Sequence, residues 1–249
     1  MKAFKLGAVL AGLLTIQGCS WIESIDPANP EGKTEIELYN SAKSALVNGN
    51  YEEAVKAYDT LQSYFPYGPL AEQASVERAY AYFRFDEPLT AIAEIDRFIR
   101  EFPRHRNTGY AWYLKGLINE TRSRQMFDGL LTDAADRDTS NMADAMNAYV
   151  HVIKNYPSSR YASDAKRRLA RLQNTIARSE LKTAEYYLEN DAPLAAVNRA
   201  KYIIEHYPET HAVRPALALM INAYRAMGAD DLADDALKVL NLNSVQEKS

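Results

Sequence analysis

The chain has 249 residues, of which 47% are hydrophobic and 25% charged, with a formal net charge of −4. That length buries a real core, and an acidic balance argues against a nucleic-acid binder, which carries a basic surplus. One cysteine excludes an internal disulfide framework.

The first element is an apolar run. Lys2 and Lys5 precede about eleven apolar or small residues, Leu6 to Ile16. A bilayer core of ~30 Å needs about 20 residues as a helix, so the run is too short to span and has the form of a secretory signal over 1–18. Ile16-Gln17-Gly18-Cys19 follows and resembles the lipobox of bacterial lipoproteins. The resemblance implies a diacylglyceryl group on the Cys19 sulfur, cleavage before Cys19 and acylation of the new amino terminus. Gly18 fits the small residue before the cut, whereas Gln17 stands where Ala or Ser is commoner. Ser20 in place of Asp implies export onward to the outer membrane. The plainer alternative is an uncleaved anchor. More than one acyl chain anchors stably, so such a protein needs no transmembrane helix. Residues 19–33 contain two prolines and a glycine and read as a lipidated, extended tether.

From residue 34 the chain shows helical periodicity and no strand alternation. Four phrases recur, SYFP, REFP, KNYP and EHYP, ending at Pro66, Pro103, Pro157 and Pro208. An alanine stands twelve residues before each proline: Ala54, Ala91, Ala145 and Ala196, with Ala233 continuing the series. This spacing resembles the tetratricopeptide repeat, a pair of antiparallel helices per unit. Its first helix wants a small residue where the chain has Ala42, Ala79, Gly116 and Ala184; the fifth unit has Ile221. Small residues let the paired backbones approach, and Tyr58, Ile95, Tyr149 and Leu237 fill the next layer. Proline ends each second helix. The expectation is an all-α solenoid of five helix pairs, set against an irregular helical bundle.

The alanine intervals are 37, 54, 51 and 37. The first excess falls at 122–141, with Gly129 and several aspartates, and predicts a long loop with room for one helical turn. The second falls in 159–191, which contains no Gly or Pro. Fourteen residues are close to four turns, so it predicts a backward extension of the fourth repeat's first helix. That long helix would join repeats 1–3 (34–157) to repeats 4–5 (158–249), giving two modules.

No catalytic constellation emerges. His206 and His211 straddle Pro208, and no HExxH, GxSxG or phosphate loop exists. Asp133, Asp136 and Asp138 lack the calcium-loop pattern. The basic run KRRLAR, 166–171, reads as the wet face of a helix. The expectation is a non-enzymatic interaction protein without metal or cofactor, since helical solenoids present concave binding surfaces.

Several phrases together resemble the BamD (ComL-like) lipoproteins of the bacterial outer-membrane β-barrel assembly machinery: YFPYGP at 64–69, AEIDRFIREFP at 93–103, YAWYLKGL at 110–117, DRD at 136–138, AEYY at 184–187 and AVNR at 196–199. The resemblance implies a periplasm-facing, outer-membrane-anchored scaffold. Its C-terminal repeats would dock on a POTRA domain of BamA, and its N-terminal repeats would receive the C-terminal signal of unfolded outer-membrane proteins. BamC and BamE are further implied partners. Carried over by motif, Arg199 becomes the contact to BamA, where a guanidinium fork suits a carboxylate; its alternative is an exposed helix arginine. Phe65 and Tyr67 become the lip of the N-terminal pocket, or else core aromatics. A rival reading is a repeat lipoprotein that coordinates peptidoglycan synthesis at division, because one fold hosts many functions.

Overall fold

A computed structural model describes residues 32–129 and 135–246, with side chains at 124–139 and beyond 242 left aside. Cys19, the signal segment and the tether up to residue 31 lie outside the described residues, as do Asp133 and the side chains of Asp136 and Asp138. Ten α-helices run through the described residues: α1 (Glu35–Val47), α2 (Tyr51–Tyr64), α3 (Pro69–Arg84), α4 (Pro88–Glu101), α5 (Thr108–Gly129), α6 (Ala135–Asn155), α7 (Ala162–Glu189), α8 (Pro193–His206), α9 (Val213–Ala226) and α10 (Asp230–Gln246). They form five pairs, and each helix packs on its neighbours in the chain.

The boundaries follow local chemistry. Thr34 opens α1 with a capping box: its Oγ1 accepts from Glu37 N–H, and the Glu37 carboxylate accepts from Thr34 N–H at 2.8 Å. Phe65, Phe102 and Tyr207 end α2, α4 and α8 at φ near −130° with positive ψ. The following proline excludes the helical region for each of them. Within the pairs the turn is made by a left-handed residue, Gly49, Asp86, Asp191 or Gly228, always five before the repeat alanine. The next N–H then reaches back five residues, as in Asn50 N–H to Ala45 O and Ala192 N–H to Tyr187 O, both 2.9 Å.

The register of small residues is the packing seam. Ala54, Ala91, Ala145, Ala196 and Ala233 are buried, as are Ala42, Ala79 and Ala184 opposite. Gly116 has a stricter reason: a Cβ there would lie 2.5 Å from the Tyr149 ring. Tyr58, Ile95 and Tyr149 fill the adjoining layer with no exposure. In the fifth repeat Ile221 packs with Ala233 and Ala236 over Leu237. Each core but the last is shared between one pair and a helix of its neighbour, for example Ala54, Tyr58 and Leu61 with Ala74 and Ala81 of α3. That sharing gives the molecule a one-dimensional stack of cores.

Segment 122–141 corrects the expected loop. Helix α5 runs 22 residues to Gly129 and α6 runs 21 from Ala135, against 16 and 14 in α3 and α4. The excess lengthens both arms of a helical hairpin, since RSRQMFD (122–128) is made of residues that tolerate a helix, and Gly129 stands at its C-terminal end. The second excess is helical as expected: α7 is a single 28-residue helix.

The first helices of the pairs line one wall, with α1 on α3, α3 on α5 and α7 on α9. Among the described residues the α5–α7 step lacks such extended backbone contact. It is bridged by long side chains, including Tyr110 on Tyr161 and Tyr113 to Asp164.

Two substitutions test this account. Asp191→Gly is expected to raise stability by about 0.5–1 kcal/mol in urea unfolding, because glycine takes the left-handed turn without strain. Gly116→Ala is expected to cost about 1–3 kcal/mol, the displaced Tyr149 ring outweighing alanine's better helix propensity.

Candidate interaction site

The wall formed by α1, α3 and α5 encloses a groove of about 560 Å³, closed at one end by the loop before α7. Its lining is aromatic and polar: Tyr51, Tyr80, Tyr110 and Tyr161 alternate with Lys43, Gln73, Asn107 and Arg160. Alternating aromatic rings and hydrogen-bonding side chains suit an extended peptide more than a small apolar ligand.

A buried carboxylate organises the groove's floor. Glu77 of α3 is 7% exposed. It accepts from Tyr58 OH at 2.7 Å, Lys43 Nζ at 2.5 Å and Gln73 Nε2 at 2.8 Å. Three donors keep the ion tolerable in a buried place. Burial, with Glu77 beside it, pushes the Tyr58 phenol far above its ordinary value, so it remains a donor. Burial also lifts Tyr39 to about 12, again with Glu77 adding to it. Gln73 is fixed in turn by Asn107. Below the floor, Arg78 bridges Asp59 at 2.6 Å and Glu94 at 2.5 Å, tying α2, α3 and α4 together.

A second network stands at the α5–α6–α7 junction. Glu120, 3% exposed, accepts from Tyr149 OH at 2.6 Å and Arg168 Nη1 at 2.9 Å. Arg168 Nε donates to Asp164, which also accepts from Tyr113 OH. The Tyr113 hydrogen bond, aided by Arg168 and Arg167 and partly opposed by burial, holds the Asp164 carboxyl at about 2. Tyr58 and Tyr149 each follow a repeat alanine by four residues, where Ile95 stands in the second repeat. The repeat register predicts them only as layer fillers. Their hydroxyls were the signal it missed, since a buried tyrosine hydroxyl needs an acceptor.

The expected contact residues are placed as follows. Phe65 is half-buried against the first core, and its N–H closes α2 on Leu61 O at 2.8 Å. Tyr67 is 88% exposed at the α2–α3 corner. Neither side chain lines the groove just described. Arg199 lies on the outer face of α8, half exposed, with Nη1 3.0 Å from Glu180 Oε2 of α7. Tyr202 and His206 continue that face and stack on each other at 4.2 Å. Sequence reasoning did not single them out, although their spacing from Arg199 is helical. Among the described residues no group of three metal-ligating side chains exists, and no helix is long and apolar enough to cross a membrane.

The sequence matches known proteins over the same span. Residues 31–240 match the family described as YfiO, outer membrane lipoprotein. The chain is 36% identical to the outer membrane protein assembly factor BamD of Xylella fastidiosa over 240 residues, covering 96% of this chain and 81% of that protein. It is 38% identical to the BamD of Neisseria meningitidis over 207 residues, 83% of this chain and 78% of that one. The Vibrio cholerae BamD is 32% identical over 238 residues, 94% and 97% of the two chains. Among solved structures, a kinesin light chain with TPR-like repeats from Podosopora anserina is similar at a TM-score of 0.42 and 13% identity. That likeness covers 86% of this chain and 96% of that one.

The Asp164 cluster gives a pH test. Its folded carboxyl is held below the ordinary value of about 4. The cluster's contribution is therefore complete above pH about 4 and is lost as pH falls toward 2. Urea unfolding between those values should show Asp164→Asn flattening the decline by about 1–2 kcal/mol, the side chain being partly solvated.

Proposed function

The chain belongs to the YfiO family of outer membrane lipoproteins, and from that membership we propose that it is a scaffold in outer-membrane protein assembly. The observation that carries the reading is similarity to curated assembly factors over nearly the whole chain, tether and all five repeats included. In this reading the protein does no chemistry. Lipidated Cys19 holds it on the periplasmic side of the outer membrane, and the tether 19–33 sets its reach. The repeats 1–3 and 4–5 act as two modules joined by α7.

The groove on α1, α3 and α5 would receive an unfolded barrel precursor. Its tyrosines offer faces for an aromatic terminal residue, and Lys43 and Arg160 offer cations for a terminal carboxylate. Tyr67 is available as an outer lip contact, whereas Phe65 serves mainly to close α2. Arg199 would dock on a POTRA domain of a BamA-type partner. It is half exposed, and the Tyr202–His206 stack beside it supplies an aromatic contact of the kind that dominates interfaces. Its Glu180 pairing holds the guanidinium in position and would be exchanged for a partner carboxylate. BamC- and BamE-like proteins complete the expected set.

The test is purification of the tagged protein from envelopes in mild detergent, in parallel with Arg199→Glu, with identification of what co-purifies. A POTRA-bearing barrel protein is expected with the wild type and strongly depleted with the variant, while both melt at similar temperature. Recovery of cell-wall synthesis proteins with no barrel protein would overturn the assignment. Equal recovery with both forms would remove Arg199 from the contact.

A further inference from the structure

Residues 165–178, AKRRLARLQNTIAR, hold five basic side chains and no acidic one, in a chain whose net charge is negative. Two of the five are neutralised internally: Arg167 and Arg168 share Asp164, and Arg168 also reaches Glu120. Among the described residues Lys166, Arg171 and Arg178 have no carboxylate partner. A wet helix face ordinarily alternates signs. This one does not, and it is not flat.

Two cavities flank the exposed methyl of Ala170 on α7. One, of about 350 Å³, is walled by Ile153 of α6, Leu169, and Tyr207 and Pro208 of the α8–α9 loop. The other, of about 450 Å³, has Met142 and Leu172 in its wall and Arg171, Arg178 and His211 around it. The loop between them is held in place: Thr210 Oγ1 donates to Tyr207 O at 2.8 Å, and His211 N–H donates to Asn174 Oδ1 at 3.1 Å. Both cavities exist because α7 is extended. Its first turns precede the part that pairs with α8; they pack on α6 through Ala165, Leu169 and Leu172 and reach α5 through the side chains of Asp164 and Arg168.

We propose that this surface is a second docking groove, taking an extended acidic segment of a partner protein that crosses α7 at Ala170. An apolar side chain of the segment fills the Ile153–Tyr207 cavity, and carboxylates that follow pair with Arg171 and Arg178. The charges set this polarity. Glu209 stands on the rim of the apolar cavity beside Lys166, leaving that end without a surplus. In the other cavity the Glu120 carboxylate is already engaged by Tyr149 and Arg168, so the two free guanidiniums dominate. A membrane of anionic headgroups fits less well, because the cations rim recessed apolar space and Glu209 opposes a continuous negative surface. The groove is separate from Arg199 and from the tyrosine-lined groove, and it does not rest on the function proposed for either.

The test uses the full protein in detergent and short fluorescein-labelled peptides, read by anisotropy. One peptide carries a phenylalanine followed by alternating glutamate and serine; its control has lysine for glutamate. The glutamate peptide is expected to bind and the lysine peptide not. Arg171→Glu with Arg178→Glu, and separately Ala170→Tyr, should each weaken binding by about tenfold or more, while Arg199→Glu leaves it unchanged. All these positions are solvent-exposed, and circular dichroism melts check that the variants fold. The proposal is overturned if neither peptide binds, if both bind alike, or if the two groove variants bind as the wild type does. It is equally overturned if phosphatidylglycerol vesicles, and not the peptide, are captured in an Arg171- and Arg178-dependent way.

Discussion

Everything in this molecule depends on how closely two helices of a pair approach. The approach is set at one level in each repeat: alanine against alanine in three, glycine against a tyrosine ring in the third, and Ile221 against Ala233 in the divergent fifth. At Gly116 the constraint is visible as a single missing carbon, since a methyl there would overlap Tyr149. Close approach fixes the pitch of the stack, and the pitch decides which side chains reach the next pair. The stacked cores follow from it, each but the last completed by a helix of a neighbouring pair. Stability is therefore distributed, and no single core carries the molecule.

Close-packed helices leave little room for water, yet the wall facing the groove carries ions. Glu77 and Glu120 resolve this conflict in the same manner. Each is buried among helices that present a tyrosine hydroxyl and a basic side chain to it. Replacing a whole buried ion pair by well-packed apolar residues often costs nothing in stability, so stability alone does not explain these pairs. The geometry supplies a reason. Glu77 positions Lys43 and Gln73 at the groove surface, and Glu120 with Arg168 joins α5, α6 and α7 where backbone contact between α5 and α7 is sparse. Donors whose positions are fixed in advance would lose little freedom on meeting a ligand.

Much of this was legible in the residues, for steric reasons. A position that tolerates only Ala or Gly, and a proline that must end a helix, leave marks that recur at fixed spacing. The extension of α7 was legible because 159–191 lacks any helix breaker. The lengthened α5–α6 hairpin was not, because Gly129 and the aspartates beyond it also belong at a loop. In the structure that glycine marks only the end of a longer helix. The carboxylate networks were illegible for a different reason. Glu77 answers to Tyr58, and Glu120 to Tyr149 and Arg168, across 19, 29 and 48 residues of chain. No periodicity records such pairings. Arg199 was legible as a motif residue, but its tie to Glu180 and its neighbours Tyr202 and His206 appear only when α7 and α8 are placed together.

The departures from regular repetition are where surfaces arise. In a strict solenoid each first helix is covered by its own partner and by the next pair, leaving only the inner wall to bind. Helix α7 breaks that rule because four extra turns precede the part that pairs with α8. Those turns must still bury one face, which they do on α6 through Ala165, Leu169 and Leu172. Their remaining circumference is left without a helix to cover it. An uncovered apolar helix would invite aggregation. The exposed Lys166, Arg171 and Arg178 around that space oppose this, since like charges repel a second copy of the same face. The same residues that keep the exposed half of α7 in solution give it a preference for the opposite charge.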